Sequence, residues 1–291
     1  MTSLQDGFAL WGYENREDVF IAPTIHAHQD FLSLERLDRQ PTLKLALAES
    51  PIVFDPTGTL ATLQQVVWED LENDTRHRKL INVMLERNLA KWHNQVGMAS
   101  FLSSPYLLTL EQVNLFFNSV LCALNKQTTT RRRRLVLLQQ VAETLAVPEV
   151  YQLLLAIHGV TDIRPQDAHH LYQQALTIEA VLEKSLSNES IDLRALGLSG
   201  RHSVDWDREY LRRGIEDLLA EGHYQNAAFL AAHWADKMHT ALTRGGCTTE
   251  DLANAYHHIM DHLGYREPAA LAIKHGFIQN YAGILRSLTN N

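Results

Sequence analysis

The sequence predicts a mainly α fold, a multi-helix bundle of about nine or ten helices with a small mixed N-terminal segment. After Gly58, apolar residues recur every three or four positions, the spacing that puts them on one face of a helix. Proline, threonine and aspartate precede these stretches. Those residues favour helix starts, because proline fits the first turn and short polar side chains cap free N–H groups. Before Gly58, prolines punctuate short apolar runs, which predicts at most two or three short strands.

Local start signals divide this pattern into individual helices. Thr109 followed by Gln112 resembles a capping box, in which two side chains satisfy each other's backbone N–H groups. Asp205 is expected to cap the helix that follows it, and Gly222 to separate that helix from the next. The predicted helices begin, in chain order, after Gly58, near Asp74, Thr109, Thr129, Pro148, Pro165 and Asp205, after Gly222, and near Thr248 and Pro268.

Three consecutive domains are predicted. Residues 1–58 form the small mixed N-terminal segment, residues 59–187 a helical bundle and residues 205–291 a C-terminal helical bundle. Ser187–Val204 is the longest stretch without helical periodicity, and it is expected to be a loop or hinge between the bundles. A chain of 291 residues is long enough for more than one such unit.

Composition and charge favour a soluble cytoplasmic protein without nucleic-acid or membrane partners. The 45% apolar and 21% charged content is that of an ordinary globular chain. A net charge of -8 opposes nonspecific attraction to nucleic acid and to anionic membranes, because both require a positive surface field. Cys122 and Cys247 are far apart and lack a CxxC partner, which favours a reducing compartment. No apolar run reaches the ~20 residues of a membrane span, and the N-terminus lacks the pattern of a secretory signal.

Two segments resemble a known family. The stretch Trp206–Gly246 is predicted to form two amphipathic helices joined through Gly222, the second rich in alanine. Its pattern resembles the helix pair of HEPN domains and of the helical substrate-binding domains of nucleotidyltransferases. The resemblance is carried by Glu216–Leu219, Gly222–Tyr224, Ala227–Ala228 and Ala231–Ala232. Ser50–Leu60, with its Asp-Pro-Thr-Gly sequence, is similar to the segment that closes a nucleotidyltransferase palm and leads into its helical part. The resemblance implies a helical substrate-binding domain of that superfamily.

The catalytic signature of a nucleotidyltransferase is absent before Pro51. Such an enzyme needs a Gly-Ser turn for the triphosphate and an Asp-x-Asp pair for magnesium, because the metal neutralises charge that develops during phosphoryl transfer. The one Asp-x-Asp pair, Asp205 and Asp207, lies at a predicted helix start, where capping and the helix dipole explain it. The resemblance therefore implies a degenerate or missing catalytic palm. With no complete catalytic motif in the chain, its status as an enzyme stays open.

Histidines and aspartates are concentrated on two predicted helices near the C-terminus. Residues three or four apart share a helix face, so His258 with His262, and His233 with Asp236, could each offer two ligands to one divalent metal. Two antiparallel helices would bring these pairs together in the bundle core. The candidate metal ligands are His233, Asp236, His239, His258, Asp261 and His262. The alternative is that these side chains lie on polar faces or form hydrogen bonds in partly buried positions.

Three functions are open on the sequence alone. The first is a noncatalytic helical protein that binds a nucleotide, another small ligand or a protein partner in a groove near the Trp206–Gly246 helix pair. The second is a metal-dependent enzyme that uses the histidine and aspartate pairs. The third is an oligomeric adaptor or assembly protein, in which small residues on a helix face let another chain approach closely. We predict the first, because the resemblance concerns a binding domain and no reaction motif is complete.

Overall fold

The computed structural model describes residues 8–11, 24–27, 34–49, 52–55, 57–95, 104–128, 133–186 and 201–290. Within these ranges the protein is mainly α-helical, so the predicted helical bundle is confirmed. The elements are β1 (Phe8–Trp11), β2 (Thr24–Ala27), α1 (Leu34–Asp38), α2 (Pro41–Glu49), β3 (Ile52–Phe54), α3 (Thr59–Leu71), α4 (Asp74–Gln95), α5 (Pro105–Gln112), a π-helical segment (Val113–Asn118), α6 (Ser119–Leu124), α7 (Arg134–Thr144), α8 (Pro148–His158), α9 (Pro165–Leu186), α10 (Arg201–Ala220), α11 (Tyr224–Arg244), α12 (Glu250–His262) and α13 (Pro268–Asn290). The described ranges thus contain more helices than the nine or ten predicted. None of these helices combines the length and the apolar character of a membrane span.

The chain folds as two units. Unit 1 comprises Met1–Asn88, Ser119–Thr128 and Leu285–Asn291, and unit 2 comprises Leu89–Asn118 and Thr129–Ile284. Each unit therefore combines segments that are distant in sequence. The consecutive domains 1–58, 59–187 and 205–291 stay a prediction from the sequence.

In unit 1 a small sheet leads into the junction that begins α3. The strand order is β2-β1-β3, and both pairings are antiparallel. Gly58 has φ 67°, a left-handed conformation that glycine adopts without strain. The carboxylate of Asp55 accepts a hydrogen bond from the Ala61 N–H at 2.9 Å, which satisfies one free donor of the first helical turn. Asp55 and Gly58 thus form a strand-to-helix junction.

A buried ion cluster joins helices of unit 1. Lys44 is almost fully buried and its Nζ binds the carboxylates of Asp38, at 2.6 Å, and Asp70. Arg76 pairs with the same two carboxylates. Two positive and two negative groups therefore balance one another, as burial of charge requires.

Helix α11 is the centre of unit 2. Its side chains are buried without interruption from Asn226 to Asp236, and it packs on α9, α10, α12, α5 and α7. The alanines of this stretch allow neighbouring helices to approach closely. Helices α10 and α11 confirm the predicted pair, with Gly222 at φ 81° between them. Helices of the same chain thus cover the small-residue face of α11.

Several predicted helix boundaries are confirmed. Helix α4 begins at Asp74, and three predicted proline starts are the first residues of α8, α9 and α13. Gly159 ends α8 at φ 71°. A Cβ atom at this position would come within 2.1 Å of the Leu263 carbonyl oxygen, so the close approach of the chain requires glycine.

Two capping assignments are wrong. Helix α5 begins at Pro105, which fits a first turn, so Thr109 lies inside the helix and its hydroxyl donates to the Pro105 carbonyl at 2.8 Å. Helix α10 begins at Arg201, which places Asp205 inside the helix. The last part of the predicted loop Ser187–Val204 is therefore helical, while residues 187–200 lie outside the described residues.

Candidate functional site

A small pocket of about 170 Å³ lies between α5 and α13 in unit 2. Each helix lines it with residues at positions i, i+3, i+4 and i+7, which form one helix face. The lining residues are Pro105, Leu108, Thr109 and Gln112 from α5, and Leu271, Lys274, His275 and Ile278 from α13. The aliphatic side chains form most of the wall, and a few polar groups are set among them.

The amide of Gln112 is the first unusual polar group of the pocket. The side chain is 6% exposed, and its Nε2 has no hydrogen-bond partner among the described residues. An unpaired buried donor costs about 1–3 kcal/mol, and natural proteins leave few of them. Gln112 is also the last residue of α5, next to the π-helical segment, and short π-helical segments inside helices are frequent at functional sites. Gln112 thus carries a donor that the described protein does not use.

Lys274 is the second unusual polar group. The side chain is 6% exposed, and its Nζ donates to the carbonyl oxygens of Ala156, at 3.1 Å, and Ile157, at 3.0 Å. Nζ also lies 4.5 Å from the centre of the Tyr265 ring. No carboxylate pairs with Lys274 among the described residues, and burial lowers its pKa to about 8. Buried lysines are rare and are usually paired with an acid, so Lys274 departs from the usual pattern.

Trp92 supports the wall formed by His275. The two rings stack with their centres 5.2 Å apart, and Phe117 meets the edge of the indole at 5.5 Å. Trp92 is buried, and its Nε1 has no hydrogen-bond partner in the part of the chain that the structure describes. The surroundings of the pocket therefore contain a second unpaired N–H donor besides Gln112.

The side chains of Tyr265 and His158, beside Lys274, are uncharged at ordinary pH. The Tyr265 hydroxyl donates to the Ile157 carbonyl at 2.6 Å. His158 is fully buried against the Phe229 ring, and within the described ranges neither of its ring nitrogens has a hydrogen-bond partner. Burial, and secondarily the charge of Lys274, lowers the pKa of His158 to about 3. The imidazole is therefore neutral at ordinary pH.

These features suit a ligand with an apolar body and a hydrogen-bond acceptor. The pocket offers aliphatic walls, an amide without a partner and a buried amine, and no acidic side chain lines it among the described residues. The chain matches no protein-family model, no curated protein and no solved structure.

The predicted metal ligands on α11 are engaged in the core. Asp236 is fully buried, and its Oδ1 accepts hydrogen bonds from Ser104 Oγ at 2.5 Å and from the Tyr256 hydroxyl at 2.6 Å. The His239 ring stacks on the Tyr256 ring with the centres 3.6 Å apart, and burial lowers the pKa of His239 to about 4. His233 is buried in the same helix. The hydroxyl groups of Ser104 and Tyr256 thus bind the Asp236 carboxylate that was predicted to bind a metal. The Tyr256 ring of α12 covers His239, where a metal-binding histidine of α12 was expected.

The predicted ligands on α12 lie on its exposed side. His258 meets the edge of the His170 ring at 4.5 Å, Asp261 pairs with Arg266 at 2.8 Å, and His262 is exposed. Helix α12 buries the side that carries Tyr256, because its apolar residues are there. Among the described residues, no three histidine, cysteine, aspartate or glutamate side chains gather into a group that could hold a metal ion. The structure does not bring the six predicted ligands into one set.

In the groove near the predicted helix pair, the charged side chains form ion pairs with one another. A cleft of about 210 Å³ is lined by Glu179, Arg208, Glu209 and Arg212. Arg208 pairs with Glu179 at 2.9 Å and with Glu183, and Arg212 lies 3.7 Å from Glu216. Internal carboxylates therefore already neutralise the arginines that a nucleotide phosphate would need.

A larger polar cleft, of about 630 Å³, lies between the loops that follow α8 and α12. Two of the three carboxylates that line it, Asp167 and Asp261, are paired within the chain. Arg164 binds Asp167 at 2.8 Å, and that hydrogen bond lowers the pKa of Asp167 to about 2. Asp261 pairs with Arg266. This cleft is larger than the pocket between α5 and α13, but most of its charged groups are already paired.

Sequence reasoning missed both polar groups of the pocket. It assigned Gln112 to a capping box and gave Lys274 no role. The available signal was a lysine and a histidine within an apolar stripe, Leu271–Ile278, where a soluble helix usually carries only apolar residues on its inner face.

Proposed function

We propose that the protein is a noncatalytic helical protein that binds a small molecule in the pocket between α5 and α13. The observation that carries the proposal is the buried amide of Gln112, which lines the pocket and whose Nε2 has no hydrogen-bond partner among the described residues. After a rotation of the amide, a ligand oxygen could accept from this donor and remove the cost of leaving it unpaired. A site with a buried unpaired group therefore favours a ligand that supplies the missing partner.

The ligand class follows from the size and the chemistry of the pocket. A cavity of about 150 Å³ takes up benzene, so a pocket of about 170 Å³ suits a single ring or a short branched chain. Leu108, Leu271 and Ile278 favour an apolar body. Gln112 and Lys274 favour a carbonyl or carboxylate oxygen at its polar end.

The proposal keeps the relation to HEPN domains and to the helical domains of nucleotidyltransferases. It places the binding site between α5 and α13 instead of in the groove near the Trp206–Gly246 helix pair. A nucleotide is much larger than a single ring, and the groove beside α10 is occupied by ion pairs. The adaptor alternative rested on small residues of α11, and helices of the same chain cover that face. The binding function thus has the strongest structural support of the three alternatives.

The test compares three ring compounds that differ in their polar end. Acetophenone and benzoate carry an acceptor oxygen, and toluene has the same ring without it. Saturation-transfer NMR and thermal shift should show that acetophenone binds about tenfold more tightly than toluene, the gain of one net hydrogen bond. A bound probe at about one hundred times its dissociation constant should stabilise the protein by ~2.7 kcal/mol.

Two tryptophan substitutions on α13 locate the binding. Leu271→Trp places a large side chain at the partly exposed rim of the pocket and should abolish probe binding. Ile273→Trp, two positions away, replaces an exposed apolar residue outside the pocket and should leave binding unchanged. Absence of binding by all three probes, or equal binding in Leu271→Trp, would contradict the proposal.

A further inference from the structure

We infer that Lys274 forms a reversible imine with a small aldehyde or ketone that enters the pocket between α5 and α13. The inference rests on the proposed function and narrows its ligand class to carbonyl compounds. Its basis is the position of a buried amine without a carboxylate partner, among the described residues, on the wall of an apolar pocket.

The hydrogen bonds of Lys274 are compatible with a neutral amine, the form that reacts with a carbonyl carbon. A neutral amine has two N–H bonds and one lone pair, whereas an ammonium group has three N–H bonds and no lone pair. Nζ donates to two acceptors, the carbonyl oxygens of Ala156 and Ile157. In the neutral form these two hydrogen bonds use both hydrogens and leave the lone pair for reaction. In the ammonium form the third N–H can meet the Tyr265 ring.

Some neighbours of Lys274 stabilise its positive charge, but burial destabilises that charge more strongly and lowers the pKa. The carbonyl groups at the C-terminal end of α8 favour a cation, as does the Tyr265 ring. Removal from water, without a carboxylate to compensate, favours the neutral amine. The pKa falls to about 8, so at pH 7 the neutral fraction is roughly three-hundredfold larger than that of a lysine with the ordinary pKa of 10.5. A desolvated lysine of this kind is a good nucleophile for carbonyl carbon.

The reaction needs no oxidant or reductant. The Nζ lone pair forms a bond to the carbonyl carbon, and the electron pair of the carbonyl π bond moves to oxygen, which takes a proton. Nitrogen loses both of its protons, and the first loss balances the proton taken by oxygen. The second balances the proton that the hydroxyl takes as it leaves as water, and a carbon–nitrogen double bond remains. One amine and one aldehyde thus give one imine and one water. The Gln112 amide lines the same pocket and can donate to the carbonyl oxygen as negative charge develops there.

The experiment traps the imine in the full chain with benzaldehyde and cyanoborohydride. Cyanoborohydride reduces the imine to a stable benzylamine, and peptide mass mapping measures the rate at each lysine. Lys184, exposed on α9, is the internal reference. At pH 7 Lys274 should be labelled about a hundredfold faster than Lys184. Benzyl alcohol, which has the ring but cannot form an imine, should slow labelling of Lys274 only.

Variants of α13 separate this inference from the proposed function. Leu271→Trp should reduce the labelling rate of Lys274 to that of Lys184, and Ile273→Trp should leave it unchanged. Binding of acetophenone and benzoate without preferential labelling of Lys274 would overturn the imine and leave the binding function standing. Failure of every probe to bind, together with equal labelling of the two lysines, would overturn both. Fast labelling that benzyl alcohol does not slow would overturn the pocket as the route to Lys274.

Discussion

Two groups of buried polar side chains in unit 2 differ in how their hydrogen bonds are used. Around Asp236, the carboxylate accepts from Ser104 and Tyr256, and the donors are close and aligned within the core. Around the pocket between α5 and α13, Gln112 keeps a donor without a partner among the described residues, and Lys274 is buried without an acid. A connected polar cluster fixes the packing of helices, whereas a buried group without a partner marks a place where a ligand can complete the hydrogen bonds. The contrast separates a structural cluster from a binding site.

The largest expected effect is a loss of folding stability when the hydrogen bonds around Asp236 are removed. Asp236→Ala removes the acceptor of two hydroxyl groups and should lower the free energy of unfolding by about 4 kcal/mol, since each hydrogen bond to a charged group contributes ~1.5–3 kcal/mol. Urea denaturation at pH 7 measures the change. Asp162→Ala, at an exposed aspartate, is the control and should change stability by less than about 0.5 kcal/mol. A loss of under about 1 kcal/mol in Asp236→Ala would show that the cluster does not hold the fold.

The second-largest expected effect is a dependence of folding stability on pH that arises from the charge of Lys274. Its pKa is about 8 in the folded protein and 10.5 in the unfolded chain, so between these values the unfolded state binds more protons and stability rises with pH. Relative to Lys274→Met, the unsubstituted protein should gain about 3 kcal/mol in unfolding free energy between pH 7 and pH 10.5. Chemical denaturation of both proteins across this range measures the difference.

An exposed lysine on α9 provides the comparison for this pH dependence. Lys184→Met, at a lysine that is exposed on α9, is the control variant, and its difference from the unsubstituted protein is measured over the same pH range. A constant difference between Lys274→Met and the unsubstituted protein would mean that the pKa of Lys274 is not lowered in the folded protein. The neutral-amine basis of the imine would then be lost.

The helical architecture was predictable because its signals are local. Pro148, Pro165 and Pro268 begin helices as expected, since a proline ring fits the first turn whatever lies elsewhere in the chain. Gly159 ends α8 through its own positive φ. Thr109 was misassigned because Pro105, one turn earlier, offered the stronger start.

The site was not predictable because it depends on which helix faces meet. The metal hypothesis assumed that His258 and His262 face α11, whereas α12 turns Tyr256 towards Asp236 and leaves the histidines outside. An i, i+3, i+4, i+7 stripe on one helix predicts a buried face but not whether its neighbour fills the space against it. Only the packing of α5 and α13 places Gln112 and Lys274 beside a pocket.

The smallest expected effect isolates the unpaired amide of Gln112, and the chain offers a matched control. Gln112→Leu removes the donor that has no partner in the described residues and adds apolar surface, so without ligand it should stabilise the protein by about 1 kcal/mol. Gln64 is also buried, but its Nε2 donates to the Leu47 carbonyl at 2.7 Å. Gln64→Leu should therefore destabilise by about 1 kcal/mol, because the substitution removes a hydrogen bond that is made.

Opposite signs for these two glutamines, measured by urea denaturation, would confirm that one amide serves the fold and the other does not. The same Gln112→Leu protein should then bind acetophenone no more tightly than toluene, since the donor that distinguishes the two probes is gone. If Gln112→Leu instead destabilises as much as Gln64→Leu, the Gln112 amide has a structural role. The contrast between the two polar regions would then have to rest on Lys274 alone.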